Sequence, residues 1–163
     1  MKIPDRLPEL FLSGITEISV DASSLIYMLK IGVLGYAAAE ITFFANPCII
    51  EEVGWPHLPV TECSLDREEM ENDDTVIALA DREKIPLMSE DLEILKKAGE
   101  KGIPFFNTLM ILNYLLLKGR VSSEDYNVFL DRLIEISHYS SEVLLYGEAI
   151  RKLVQKRLPA INN

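Results

Sequence analysis

The sequence predicts an α/β fold: a three-layer α/β/α sandwich with a mainly parallel central sheet and a helical C-terminal extension. Two observations predict it. Short β-like runs alternate with helical stretches through the first two thirds of the chain, and helical periodicity alone fills the last third. In such folds the working site lies at the carboxyl ends of the strands, so residues that follow strands deserve the closest reading.

Taken in order, Ile15 to Val20 alternates and is rich in β-branched residues, which predicts the first strand. Ser23 is expected to cap a helix running through Leu25, Ile26, Met28 and Leu29 to Gly32. A short helix from Leu34 to Glu40 precedes a strand over residues 41–44, and Pro47 opens "PCIIEEV", which Gly54 and Pro56 stop. "LPVTEC" at 58–63 reads as another short strand. Asn72 is expected to cap "DDTVIALADREK", with Asp73, Val76, Ile77 and Ala80 on its inner face. "IPLMS" at 85–89 is a strand, and Ser89 is expected to cap a helix over 90–101 that Gly102 ends. "IPFFN" makes the last strand. "TLMILNYLLLKG" is apolar nearly all round and so reads as a buried helix. Ser122 with Asp125 resembles a capping box before the stripe Tyr126, Phe129, Leu130 and Leu133, and a last helix covers roughly Ser141 to Lys156.

The 163 residues fit one domain long enough to build a core. No secretory h-region opens the chain, and the longest greasy stretch, Leu109 to Leu117, is too short to span a bilayer. Two cysteines, Cys48 and Cys63, make neither a disulfide framework nor a zinc pattern, so a reduced, cytoplasmic setting is expected. The net charge of −10 argues against a general nucleic-acid coat, but the charge is uneven. Residues 1–93 carry 19 acids against 6 Lys or Arg, whereas residues 94–163 carry 7 acids against 10. Glu62 to Glu93 alone holds 12 of the 26 acids, a density that fits either a solvated face or a cation site.

Four acids follow strands: Asp21 directly, Glu52 and Asp73 in the helices behind, and Asp91 just past "IPLMS". Carboxylates gathered inside a fold repel one another, so they hold raised pKa values or bind a cation. An oxygen-only set suits Mg²⁺ or Mn²⁺ rather than zinc or copper. Each acid also has a plainer explanation. Asp21 can cap the following helix, Glu52 beside Glu51 can be solvated surface, and Asp73, Asp74, Glu90 and Asp91 all suit the positive end of a helix dipole. The convergence of four on one sheet edge favours the cation.

"VDASSLI", "PCIIEEV", "DDTVIALA" and "LMSEDLEIL" resemble, in order and spacing, the four signature segments of PIN domains. The likeness extends into "NTLMILNYLLLKGRVS" and covers about residues 15–125, leaving the helices at about 122–157 as an extension. The resemblance implies a Mg²⁺- or Mn²⁺-dependent ribonuclease, similar to the toxin half of VapC-type toxin–antitoxin pairs. It carries the catalytic and metal-binding roles to Asp21, Glu52, Asp73 and Asp91, and supporting roles to Ser23 and Ser89. Asn107 stands where that branch has glycine, and Glu90 where an aspartate is usual; Asp74 and Glu51 leave a one-residue ambiguity at two positions.

The chemistry so implied is hydrolysis of an RNA phosphodiester to 5′-phosphate and 3′-hydroxyl ends, with a possible antitoxin and a homodimer as partners and no membrane. Asp21 is the expected direct ligand, and Glu52 is placed to orient water. Lys96 and Lys97 are candidate RNA contacts or a solvated helix face, and Arg151, Lys152, Lys156 and Arg157 gather near the C-terminus. Trp55 is expected to anchor the core or a loop, and His57 and His138 to sit on the surface. No P-loop is present, and "DAS" lacks the second aspartate a haloacid-dehalogenase phosphatase wants at position 23. The rival class is a catalytically silent PIN-like module that binds RNA or a protein partner.

Overall fold

The computed structural model describes residues 2–65 and 72–159; the side chains of Asn72 and Asp73 lie outside that description. After a helix the sequence does not announce, α1 (Glu9–Ser13), come β1 (Glu17–Val20), α2 (Ala22–Ile31), α3 (Leu34–Ala38), β2 (Thr42–Ala45), α4 (Pro47–Val53) and β3 (Thr61–Glu62). Then follow α5 (Asn72–Glu83), β4 (Leu87–Met88), α6 (Leu92–Glu100), β5 (Phe105–Phe106), α7 (Thr108–Leu117), α8 (Ser123–Ile136) and α9 (Ser141–Arg157). The five strands form one parallel sheet in the order β3-β2-β1-β4-β5. The fold is therefore the α/β architecture expected.

Parallel strands need helical crossovers, and right-handed crossovers fix the layers. The steps β1 to β2 to β3 run toward one edge, and the step from β3 to β4 and on to β5 runs toward the other. Helices α2 and α4 thus cover one face, with α7 and α8 packed behind α2, while α5 and α6 cover the other. Being central, β1 is buried on both faces, and Ile18, Ser19 and Val20 all have no exposed surface. The polar one, Ser19, is satisfied because its hydroxyl donates to the Val76 carbonyl of α5 at 2.8 Å. One hydrophobic core runs from Leu7 through α7 to Val154 of α9.

Helix α7 behaves as its composition demands: residues from Thr108 to Leu116 are all buried. Its polar members are engaged. Asn113 donates to the carbonyls of Leu109 and Gly147 and accepts from the Tyr126 hydroxyl at 3.0 Å, so it stitches α7 to α8 and α9. Gly147 makes that contact possible, since a Cβ there would stand 2.4 Å from Leu109. Tyr114 reaches the sheet, its hydroxyl accepting from the Ile15 amide at 2.8 Å.

Strand register decides where the site can be. Val20 pairs with Met88, Met88 with Phe106, and Ser19 with Phe44, so the strands end level. Asp21, Asn46, Ser89 and Asn107 therefore form one row along the carboxyl edge. The strand order reverses between β1 and β4, which opens a crevice where Asp21 and Ser89 stand. Two capping expectations are corrected here: Asp21 rather than Ser23 caps α2, and Asp91 rather than Ser89 caps α6. Position decides both: Ser23 already lies inside the first turn of α2, and Ser89 stands two residues before the cap of α6, so both hydroxyls donate to Asp21 instead. Trp55 is 60 % exposed and anchors no core.

Replacing Tyr114 by Phe would leave the buried Ile15 amide without a partner, at a cost of about 1–3 kcal/mol. Urea unfolding of Tyr114→Phe is expected to show that loss; unchanged stability would mean the hydroxyl is dispensable for holding β1 to α7.

Candidate functional site

Asp21 is the buried centre of the site, with 7 % of its surface exposed. Its Oδ1 accepts from the Ser24 amide at 2.9 Å and from the Ser23 hydroxyl at 3.0 Å, and its Oδ2 accepts from the Ser89 hydroxyl. Ser89 in turn accepts from the Asp91 amide at 3.0 Å, linking the end of β4 to the end of β1. A carboxylate offers about four lone-pair positions. Oδ1 carries the Ser24 and Ser23 bonds and Oδ2 the Ser89 bond.

Glu90 is the second inward acid. Its Oε1 accepts from the Ser24 hydroxyl at 3.2 Å, from the Thr108 amide at 2.8 Å and from the Thr108 hydroxyl, and its Oε2 accepts from the Tyr139 hydroxyl. Ser24 thus serves both acids, by its amide to Asp21 and its hydroxyl to Glu90. Glu90 ties α2, the end of β4, the start of α7 and the α8–α9 connection to one point.

These side chains border a cleft of about 310 Å³ lined by Asp21, Ser23, Tyr27, Glu52, Glu90 and Asp91, with Ala22, Ile49 and Ile94 as its apolar wall. No lysine, arginine or histidine is among the described residues lining it. Helix ends supply the positive field instead. Asp21 caps α2, Asp91 caps α6 with its Oδ1 accepting from the Glu93 amide at 2.8 Å, and the first amide of α7 points at Glu90.

Burial is the largest influence on both inward acids and pushes the Asp21 and Glu90 carboxyls above their ordinary values. Hydrogen bonds from Ser89 and Ser24 oppose this at Asp21; those from Thr108 and Tyr139 oppose it at Glu90, while the Asp21 charge adds to it. Burial, and then the charge of Glu90, also raise the Tyr139 phenol, which keeps it a donor.

Of the acids singled out in the sequence, Asp21, Glu52 and Asp91 line the same cleft, Glu52 and Asp91 from exposed positions. At the two ambiguous positions, Glu52 lines the cleft and Glu51 does not, and Asp74 is exposed in the first turn of α5, away from the cleft lining. The Asp73 side chain lies outside the described residues; the face of α5 that shares its register, Val76, Ile77 and Ala80, is buried. Ser23 and Ser89 both donate to Asp21. Lys96 and Lys97 are exposed on α6 and do not line the cleft. Tyr27, Thr108 and Tyr139 escaped the sequence reading as site residues. Thr108 lay within a quoted segment, but Tyr139 sits in "ISHYSSE", which carries no periodic or motif signal.

Among the described residues no three His, Cys, Asp or Glu side chains stand close enough to hold one metal ion together. The donor set nonetheless fits a hard divalent cation. Mg²⁺ keeps several waters and takes only one or two carboxylates, and the polar side chains lining the cleft, Asp21, Ser23, Tyr27, Glu52, Glu90 and Asp91, all offer oxygen. Compared with models of known protein families and with curated proteins, the chain matches none.

Raised carboxyl pKa values mean that the fold binds protons more tightly than the unfolded chain does. That share of stability is complete below the ordinary values of 3.8 for Asp21 and 4.5 for Glu90, and is lost as pH rises through the raised ones. In metal-free buffer the melting temperature of Asp21→Asn is expected to fall less than that of the natural chain from pH 4 toward neutrality. Parallel curves would show that Asp21 pays no burial penalty.

Proposed function

We propose that the protein is a Mg²⁺- or Mn²⁺-dependent ribonuclease of PIN type, hydrolysing RNA phosphodiesters at the cleft around Asp21. The observation that carries this reading is a buried carboxylate at the switch point of a parallel sheet, beside Glu52, Glu90 and Asp91, with no basic side chain among the described residues of the cleft. Three of the four segments that resemble PIN signatures, "VDASSLI", "PCIIEEV" and "LMSEDLEIL", supply these residues.

A divalent cation bound there supplies Lewis-acid stabilisation of the phosphoryl oxygens and acidifies water. Asp21, clamped by Ser23, Ser24 and Ser89, is the acid whose orientation is set before any ligand arrives. Asp91 and Glu52, exposed at the rim, are the acids placed to hold or orient water against the phosphate. Glu90 has Oε1 filled by three donors, so its part is to hold the walls rather than to bind ligand. An antitoxin and a homodimer, which the resemblance implies as partners, belong to the same proposal.

The saturation of Glu90 and the spacing of the described acids favour one rival, a PIN-like module that binds RNA or a protein without cutting it. Incubating purified protein with single-stranded and structured RNA, with Mg²⁺, with Mn²⁺ and with chelator, separates the two. Cleavage that needs the cation and leaves 5′-phosphate ends is expected. Asp21→Asn should reduce it by roughly a hundredfold or more, as the loss of several kcal/mol of transition-state stabilisation requires. Undiminished cleavage by that variant would sink the mechanism, and binding without cleavage would favour the module.

A further inference from the structure

We propose that Lys2, Arg6, Lys156 and Arg157 form a binding site for the phosphates of single-stranded RNA, remote from the acidic cleft; the choice of RNA as ligand rests on the nuclease reading. The four cations line one depression of about 780 Å³ together with Asp5 and Glu9. All four are exposed, and none makes an ion pair or hydrogen bond among the described residues. In a chain of net charge −10 their gathering in one depression makes a local concentration of positive charge. The negative end of the α9 dipole accounts for Lys156 and Arg157 in its last turn. It does not account for Lys2 and Arg6, which the N-terminal arm brings against them. With two acids among the six, the depression keeps a net positive charge.

Continuity with the site sets the ligand. The depression shares Pro8, Glu9 and Tyr146 with an apolar groove of about 750 Å³. That groove ends on α6, where Leu92, Leu95 and Lys96 line it while Asp91 and Ile94 of the same helix face the acidic cleft. Leu92 is 72 % exposed and Phe105, on the edge strand β5, is 43 % exposed. Helix α9 runs along both hollows, with Val143 and Tyr146 on the groove and Leu153 and Lys156 on the depression. Val143 to Lys156 spans roughly 20 Å at 1.5 Å per residue. A mainly apolar surface bearing aromatic rings, with Glu9 and Lys96 its charged members and the four cations at one end, matches how single strands are held: bases on the rings, phosphates on the cations. An acidic protein segment would meet the cations equally well but has no use for the rings.

The test is binding of a fluorescein-labelled 12-nucleotide oligouridylate to the full chain in chelator, measured across a salt series. Each lost phosphate contact lowers the slope of log affinity against log salt by about 0.7 for a single strand. Lys2→Ala/Arg6→Ala and Lys156→Ala/Arg157→Ala are each expected to lower it by about 1.4, and the quadruple variant by about twice that, with circular dichroism unchanged. A quadruple variant with the natural slope overturns the proposal. So does oligoglutamate that displaces the RNA as effectively, charge for charge, which would assign the patch to an acidic protein segment. RNA binding with the expected slope change but no metal-dependent cleavage would sink the nuclease reading and leave this site standing. Intact cleavage with an unmoved slope would do the reverse.

Discussion

The interaction on which the site depends is the capping of carboxylates by helix N-termini along one sheet edge. Level strand ends put Asp21 and Ser89 side by side, and α2, α6 and α7 each start within a few residues of that row. Their free amides need acceptors, and the acids behind the strands need donors. Ser24, Glu93 and Thr108 meet those needs at Asp21, Asp91 and Glu90. Negative charge is thereby held in a partly dry crevice without a lysine or arginine among its described lining, which leaves the field there open to a cation.

Glu90 shows how the C-terminal helices come to matter at this edge. Tyr139, between α8 and α9, donates to Glu90 and sets its ring edge-on to Tyr27 at the cleft, 6.5 Å between centroids. Asn113 and the close approach at Gly147 hold the same helices against α7. The extension is thus joined to the site by hydrogen bonds as well as by the core, and its far end carries Lys156 and Arg157, which line the depression.

Much of this was legible because its signals are local. The alternation of strands and helices, the buried character of α7 and the cap at Ser122 follow from periodicity or from short-range hydrogen bonding, whereas the caps at Asn46 and Asn107 went unread. The acids behind β1 and β4 could be named because strand ends in a parallel sheet share an edge. The reach of Asp21 to Ser24 and of Asp91 to Glu93 was misassigned to serines, because several residue types cap a helix and only geometry selects one. Helix α1 is five residues long and has too little pattern to be read.

By itself the sequence determined an α/β chain with acids after its strands and a cationic C-terminus, since periodicity and charge are properties of neighbours along the chain. Only tertiary structure decided that Glu90 points inward to Thr108 and Tyr139, 18 and 49 residues away, while Asp91 stays at the rim. Only tertiary structure, again, brings Lys2 and Arg6 to the last turn of α9. Those outcomes rest on strand order, register and the packing of α7 against α9, which join residues that no local pattern relates.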